Sequence, residues 1–311
     1  MNFDSMDYFA VIAKERSFTK AAERLHITQQ SLSAHIASLE RELGCKLLVR
    51  SVPLQLTYAG EVFLRYASRF RQELTMMRQE FSDIAGSQSG RLRIGIAHTR
   101  GRSIMPKLIV DFQRRYPQLH IELAEATNER LTQMLLDHSI DLAIANFTEG
   151  IPGIELVDFY WEEIVLLASH QLLSQLYGEQ ADEIFRQASE GDLSVLRDCP
   201  FLLLGADDIG GRIALEVLHR ADIQPDIKTA SHNVETLLSL CTLGAGACFC
   251  PANLVRATLT DQQMGSLRVI PLGDDARYPI RFGYRKGPYQ WSILSAFIES
   301  ASESMAERAG Q

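Results

Sequence analysis

The chain holds no apolar run approaching the ~20 residues of a membrane span. Its opening, Met1-Asn-Phe-Asp-Ser-Met-Asp7, lacks the basic-then-apolar order of a secretory leader. A soluble, cytoplasmic protein with no membrane partner is expected. Cysteine is scarce and odd in number: Cys45, Cys199, Cys241, Cys248 and Cys250 lie dispersed in mostly apolar contexts. That excludes a disulfide framework and suits reduced, buried thiols. Cys248-Phe249-Cys250 is read as buried strand, its two thiols expected on opposite faces, with no shared metal or disulfide. Also missing are a P-loop, an HExxH helix, a G-x-S-x-G elbow and histidines paired at metal spacing. No cofactor and no metal are expected, and the enzyme class is set aside. With 46% hydrophobic residues over 311 positions, the chain is long and apolar enough for two or three packed units and too apolar for disorder.

Positive charge is in deficit overall, with a formal net charge of -8. The deficit is not evenly spread. Between Lys14 and Arg71 ten basic side chains face five acidic ones, so a basic N-terminal module is tethered to an acidic body. Such a module neutralises phosphates where it touches them, whatever the global charge.

Within that module, residues 17–44 predict two short helices with a tight connection. Ser17 is a good N-cap, and Phe18, Ala21, Ala22 and Leu25 form the buried side of the first helix. Ala21 and Ala22 let a second helix cross closely. His26-Ile27 ends the first helix and Thr28 caps the second, where Leu32, Ile36, Leu39 and Leu43 make one stripe and Gly44 suits a left-handed stop. The face left outside carries Gln29, Gln30, Ser31, Ser33 and Ala34, short, polar and uncharged, a surface that can press into a major groove and read base edges. An ordinary helical hairpin is the alternative. Cys45 to Thr57 alternates like a short hairpin with Arg50 near its tip, as a wing lying on the DNA backbone would.

The run Phe18-Thr-x-Ala-Ala-x-x-Leu25, then Gln29-x-x-Leu-Ser33, Ile36-x-x-Leu-Glu40, Leu43-Gly44, Leu47, Arg50 and Leu56-Thr-x-x-Gly60 resembles the N-terminal domain of LysR-type transcriptional regulators almost without gaps over about the first sixty-five residues. Two departures stand out: the family usually has proline where Gln30 stands, and longer polar or basic residues where Ala34 and His35 stand. The resemblance implies a multi-domain α+β chain: a winged helix-turn-helix at 1–57, a dimerising linker helix at 58–86, a hinge at 87–90, and a two-lobed α/β effector domain at 91–311 that resembles a periplasmic binding protein of type 2. Lobe one would be 91–163 with 268–311, and lobe two 164–267. Double-stranded DNA would be one partner and a small effector another. The family's common state is a tetramer, of which only a dimer seam is visible in the residues.

That seam is Phe63, Tyr66, Phe70, Leu74, Met77, Phe81 and Ile84, recurring at steps of three and four in a proline-free stretch. It would bury against a second copy of the helix, or against its own domain. Gly86-Ser-Gln-Ser-Gly90 is the clearest joint. Beyond it strands and helices alternate, the grammar of a doubly wound α/β body built around parallel sheets. Residues 170–193 depart from the family, which has a short proline-containing loop there; Leu172, Leu176, Tyr177, Ile184 and Phe185 suggest added amphipathic helix serving as lid, oligomer contact or filler.

By the resemblance, Arg16, Lys20, Lys46 and Arg50 would meet phosphate. Gln29, Gln30 and Ser33 would read bases, with Thr28, Ser31 and His35 on the same face. Ligands of open α/β sheets sit beyond the carboxyl ends of the strands, where the glycine-containing turns 97–103 and 205–212 and the turn 231–234 fall. The family's effector role is carried to Thr99, Arg100, Arg102, Ser103, Thr127, Asn146, Phe147, Gly210 and His232. The two arginines beside a helix start suggest an anionic effector such as a carboxylate. Competing classes are a solute-binding protein, opposed by the helix-turn-helix, and a cytoplasmic small-molecule binder with a vestigial DNA-binding domain.

Overall fold

The computed structural model describes residues 3–49, 51–147 and 150–309. They form two compact units, 1–87 and 88–311.

The N-terminal unit begins with a helix the sequence reading passed over, α1 (Phe3–Glu15), whose Met6, Phe9 and Ile12 are buried. Its three apolar positions sit one turn apart, too short a run to stand out. Then come α2 (Phe18–Arg24) and α3 (Gln29–Leu43). The Ser17 hydroxyl accepts from the Lys20 amide, and the Thr28 hydroxyl accepts from the Ser31 amide. Each cap satisfies an amide that the helix cannot, worth about 1 kcal/mol apiece. Ala21 and Ala22 are buried where α2 meets α3, Leu32, Ile36 and Leu39 are buried, and Gly44 takes φ +69°. Leu43 differs from expectation by remaining exposed. Strands β1 (Leu48–Val49) and β2 (Gln55–Leu56) pair antiparallel as a two-residue wing. Thr57 caps α4 (Tyr58–Ile84), a single 27-residue helix. Gly60 is needed in its first turn, because a Cβ there would lie 2.1 Å from the Leu47 carbonyl oxygen.

The second unit is built on a nine-stranded mixed sheet. In order it comprises β3 (Gly90–Ile96), α5 (His98–Ser103), α6 (Met105–Arg115), β4 (Leu119–Glu125), α7 (Asn128–Leu136), β5 (Leu142–Ala145) and the long β6 (Ile154–Ser169). Next come α8 (His170–Tyr177), α9 (Ala181–Ser189), β7 (Pro200–Leu204), α10 (Ile209–Arg220), β8 (Asp226–Ser231), α11 (Val234–Thr242) and β9 (Ala247–Pro251). The rest is α12 (Ala252–Thr258), α13 (Asp261–Gly265), β10 (Leu267–Pro271), β11 (Arg277–Arg285) and α14 (Ser292–Ala309).

Strands β4, β3 and β5 run parallel, as do β8, β7 and β9. Strand β6 joins the two groups. Residues 154–163 pair antiparallel with β11, and residues 164–169 with β9 and β10. The chain therefore crosses from one half to the other between Glu163 and Ile164. The parallel sheets around which the body was expected to be built are these two three-stranded sets; the return of the chain through β10 and β11 adds the antiparallel pairings.

Two further expectations change. The glycine-containing turn expected at 97–103 is a short helix, α5, that Ala97 precedes and Ile104 separates from α6. The thiols of Cys248 and Cys250 share a face, because strand side chains alternate with a period of two. Both are buried with Cys241 of α11, while Phe249 between them turns to the opposite layer. Burial pushes the Cys250 thiol well above its ordinary value, and no group of three or more His, Cys, Asp or Glu residues fit to hold a metal occurs among the described residues. The segment 170–199 packs on the body through buried Leu173, Ala188, Leu196 and Cys199, and Arg268 lies over the Phe185 ring at 4.6 Å.

Candidate functional site

Two surfaces carry the residues the sequence singled out. The first is the open end of α3. Thr28, Gln29, Gln30, Ser31 and His35 are exposed, and Ser33 is half-buried. Gln29 is not purely outward: the Thr19 hydroxyl reaches its Oε1 at 3.3 Å, tying α2 to α3. His35 packs edge-on to Tyr8 of α1, 5.0 Å between ring centroids, a contact no sequence pattern announced. Gln30 and Ser31 stand exposed at the helix tip.

Lys20 and Lys46 are exposed. Lys46 is also paired with Glu40, Nζ to Oε2 at 2.7 Å. Glu40 is buried, and its other oxygen accepts from the Leu47 and Leu48 amides. Burial works against the Glu40 charge, but Lys46 and the two amides outweigh it and hold the carboxyl below its ordinary value. Glu40 thus fixes the start of the wing to α3, a role that reading it as one acid among five misses. Arg16 is exposed with φ +49°, and its carbonyl accepts from the Leu54 amide, which anchors the far side of the wing. Arg50 lies outside the described residues.

The second surface is a cleft of about 780 Å³ between the two halves of the α/β body. Of the expected effector residues, Thr99, Arg100, Thr127, Gly210 and His232 line it. Four do not. The Ser103 hydroxyl donates to the Arg100 carbonyl, closing α5 on itself. The Asn146 side chain donates to the Pro279 carbonyl at 2.9 Å and its amide reaches Asn128. Phe147 is buried core: it fills the space over Gly283, where a Cβ would approach its ring to 2.7 Å. Arg102 pairs with Glu235 at the start of α11, joining the first half to the second.

Arg100 is also not the solvated anion trap that its position suggested. It is 3% exposed and pairs with Glu162, Nη2 to Oε2 at 2.9 Å. Tyr160 and Tyr278 both donate hydroxyls to the same carboxylate. Burial opposes the guanidinium charge, yet Glu162 holds it well above its ordinary value, so it stays charged. Burial and Glu162 likewise keep both phenols protonated as donors. Glu162 stands next to the strand crossing at 163/164, which puts this buried network at the joint between the halves. One donor remains: Arg100 Nη1 is buried without a hydrogen-bond partner.

Sequence reasoning missed Glu162 and Tyr278 at the floor of the cleft; Asp207 and Arg212, within the turn 205–212 it singled out, and Asn128 beside Thr127 also line it. Thr127 caps α7 through the Arg130 amide, and Asp208 caps α10 through the Gly210 amide at 2.7 Å, so both expected cleft residues owe part of their placement to helix capping. Glycines do the steric work on the far wall. A Cβ at Gly211 would meet the Gly205 carbonyl oxygen at 2.2 Å.

Residues 85–306 match the LysR substrate binding domain, and residues 3–61 match the bacterial regulatory helix-turn-helix protein, lysR family. The chain is 30% identical to an HTH-type transcriptional regulator of Bacillus subtilis, YcgK, over 99% of its own length and 96% of that protein's. A protein of Thalassiosira pseudonana described as a probable RuBisCO transcriptional regulator is 29% identical over 81% of each chain. The solved structure of full-length CbnR complexed with its target DNA is similar at TM-score 0.65 and 26% identity, over 98% of this chain and 100% of that one. Full-length OxyR C199D from Pseudomonas aeruginosa shares the fold at TM-score 0.69, with 23% identity over 98% and 94% of the two chains. This chain belongs to the LysR-type family of transcriptional regulators, which join a DNA-binding helix-turn-helix to an effector-binding α/β domain. No helix among the described residues is long and apolar enough to cross a membrane.

Proposed function

We propose that the protein binds operator DNA through the open end of α3 and that a small molecule in the 780 Å³ cleft sets the response. The observation that carries the DNA half is the doubly capped α2–α3 pair with its exposed, uncharged Thr28-Gln29-Gln30-Ser31 tip. Gln30 and Ser33 read base edges, and Gln29 does so while bonded to Thr19. Arg16, Lys20, Lys46 and Arg50 meet phosphate. The boundaries follow the resemblance: winged helix-turn-helix 1–57, linker helix 58–86, hinge 87–90, and effector domain 91–311 divided as 91–163 with 268–311 and 164–267.

The active state is a homodimer through α4, assembled further into the family's tetramer. Support comes from the unpartnered part of the seam: Phe63 is buried in its own unit, whereas Tyr66, Phe70, Met77, Phe81 and Ile84 remain exposed. An apolar groove of about 510 Å³ beside Met6, Leu43, Val62 and Tyr66 continues that surface. Two copies joined there would offer two recognition helices to two half-sites.

A gel-shift titration against the gene's own upstream intergenic DNA, at two salt concentrations, tests this reading. Saturable binding that beats random DNA and weakens with salt is expected. Equal affinity for random DNA at both salts would remove sequence-specific regulation.

A further inference from the structure

The notion of a purely anionic effector rested on Arg100 and Arg102, and both are answered within the protein, by Glu162 and Glu235. What remains on the cleft surface has the opposite balance. Four carboxylates line it, Glu125 and Glu129 from one half and Asp207 and Asp208 from the other, against two arginines, Arg100 and Arg212. The Arg100 charge is already met by Glu162, and the Arg212 Nη1 donates to the Asp207 carbonyl. His98 stands 2.7 Å from Glu125, and His232 stands 3.6 Å from Asp207. Glu129 has no ion-pair partner among the described residues. The rim therefore favours a cationic group. The floor asks for something else: Arg100, 97% buried by its 3% exposure, keeps one guanidinium nitrogen without an acceptor. An orphaned, charged donor in a dry site costs several times what an exposed one does, and a ligand acceptor removes that cost.

Resting on the effector-cleft reading above, we propose that the ligand is a zwitterion, whose carboxylate takes the open Nη1 of Arg100 at the floor and whose ammonium faces Glu129 and Asp207 at the rim. The carboxylate end is then held by a charge-assisted bond in a low-dielectric site, and the ammonium end by two acidic groups on opposite halves. One ligand thereby bridges the halves across which Arg102 and Glu235 already reach. A plain carboxylate would satisfy the floor and be repelled at the rim. A plain amine would do the reverse and leave Arg100 unanswered.

The test is calorimetric titration of the full-length protein with matched sets. The probes are the common α-amino acids and a series of ω-amino acids, each beside its deamino and decarboxy analogue, with dicarboxylates and neutral sugars as a separate arm. At least one zwitterion is expected to bind about tenfold or more tighter than both of its analogues, the value of one charge-assisted bond. Glu129→Gln, an exposed position that leaves the fold intact, is expected to weaken that zwitterion while leaving its deamino analogue unaffected or bound more tightly. Asp207→Asn provides a second such variant. If a dicarboxylate, sugar or plain carboxylate is the best ligand and is insensitive to Glu129→Gln, the zwitterion is overturned while the cleft reading stands. If nothing in either arm binds, both are overturned.

Discussion

The two units treat charge in opposite ways. In the N-terminal unit, polar and basic side chains stand outside: Gln30, Ser31, Lys20 and Arg16 are exposed around the tip of α3. Its buried acid, Glu40, holds the wing. In the α/β body the most conspicuous arginine is turned inward, and Glu162, Tyr160 and Tyr278 converge on its ion pair at the strand crossing. A surface that must meet a polyanion keeps its donors free. The cleft of the body instead pairs its buried arginine within its own architecture, with Nη1 left unbonded.

The largest effect should come from breaking the inward network. Glu162→Leu leaves a buried guanidinium uncompensated, and the body should lose about 3–5 kcal/mol of stability, read by chemical denaturation of the full-length protein. The N-terminal transition should stay where it is, because the two units have separate cores. Next comes the seam. Phe70→Glu with Phe81→Glu puts charge on the exposed apolar face of α4, and sedimentation velocity should show the assembly dissociating with little change in either unfolding transition.

Gln30→Ala tests the outward surface. It should cost about 1–3 kcal/mol on the operator and little on random DNA, whereas Lys20→Ala should weaken both alike and lower the salt dependence by about one counterion. Acid separates the units in another way. Burial, and then the charges of Arg285 and Arg93, push His138 down to about 4, and its Nε2 accepts from Arg285. From the ordinary histidine value down to about 4 the unfolded chain takes up a proton that the folded body refuses, so the body's stability falls as pH drops through that window. Glu40, held below its ordinary value, keeps its contribution until pH falls below the carboxylate range. Calorimetry on mild acidification should therefore show the body's midpoint falling before that of the N-terminal unit, and His138→Asn, which tolerates the φ of +60°, should narrow the gap. The smallest effect belongs to Arg102→Ala. That pair is half exposed on the arginine side, so stability should change by at most about 1 kcal/mol.

What the residues announced, and what they hid, follows the same division. Helix caps are local: Ser17 and Thr28 each bond an amide three residues on, so residue type and spacing located two helix starts, and Thr57 caps α4 in the same way. The linker helix was legible because it is long, free of proline and strongly periodic. Helix α1 was not, because its burial comes from α2, α3 and α4, which sequence does not bring together. The cleft was legible as a place, through its glycine-bearing turns, yet of the nine residues expected there Arg102, Ser103, Asn146 and Phe147 do not line it. Arg100 and Arg102 look alike in Arg-Gly-Arg. Their fates were decided by Glu162 and Glu235, which lie 62 and 133 positions away. Phe147 and Asn146 end a strand on the expected side, but packing over Gly283 and a bond to Pro279 draw them inward.

The most direct test of the central claim is a hydroxyl-radical footprint of the full-length protein on its upstream DNA, run beside Gln30→Ala. Two protected half-sites separated by about one helical turn or a multiple of it are predicted, both lost in the variant at the same protein concentration. Uniform protection along the fragment, unchanged by Gln30→Ala, would contradict the assignment of α3 as the reading element.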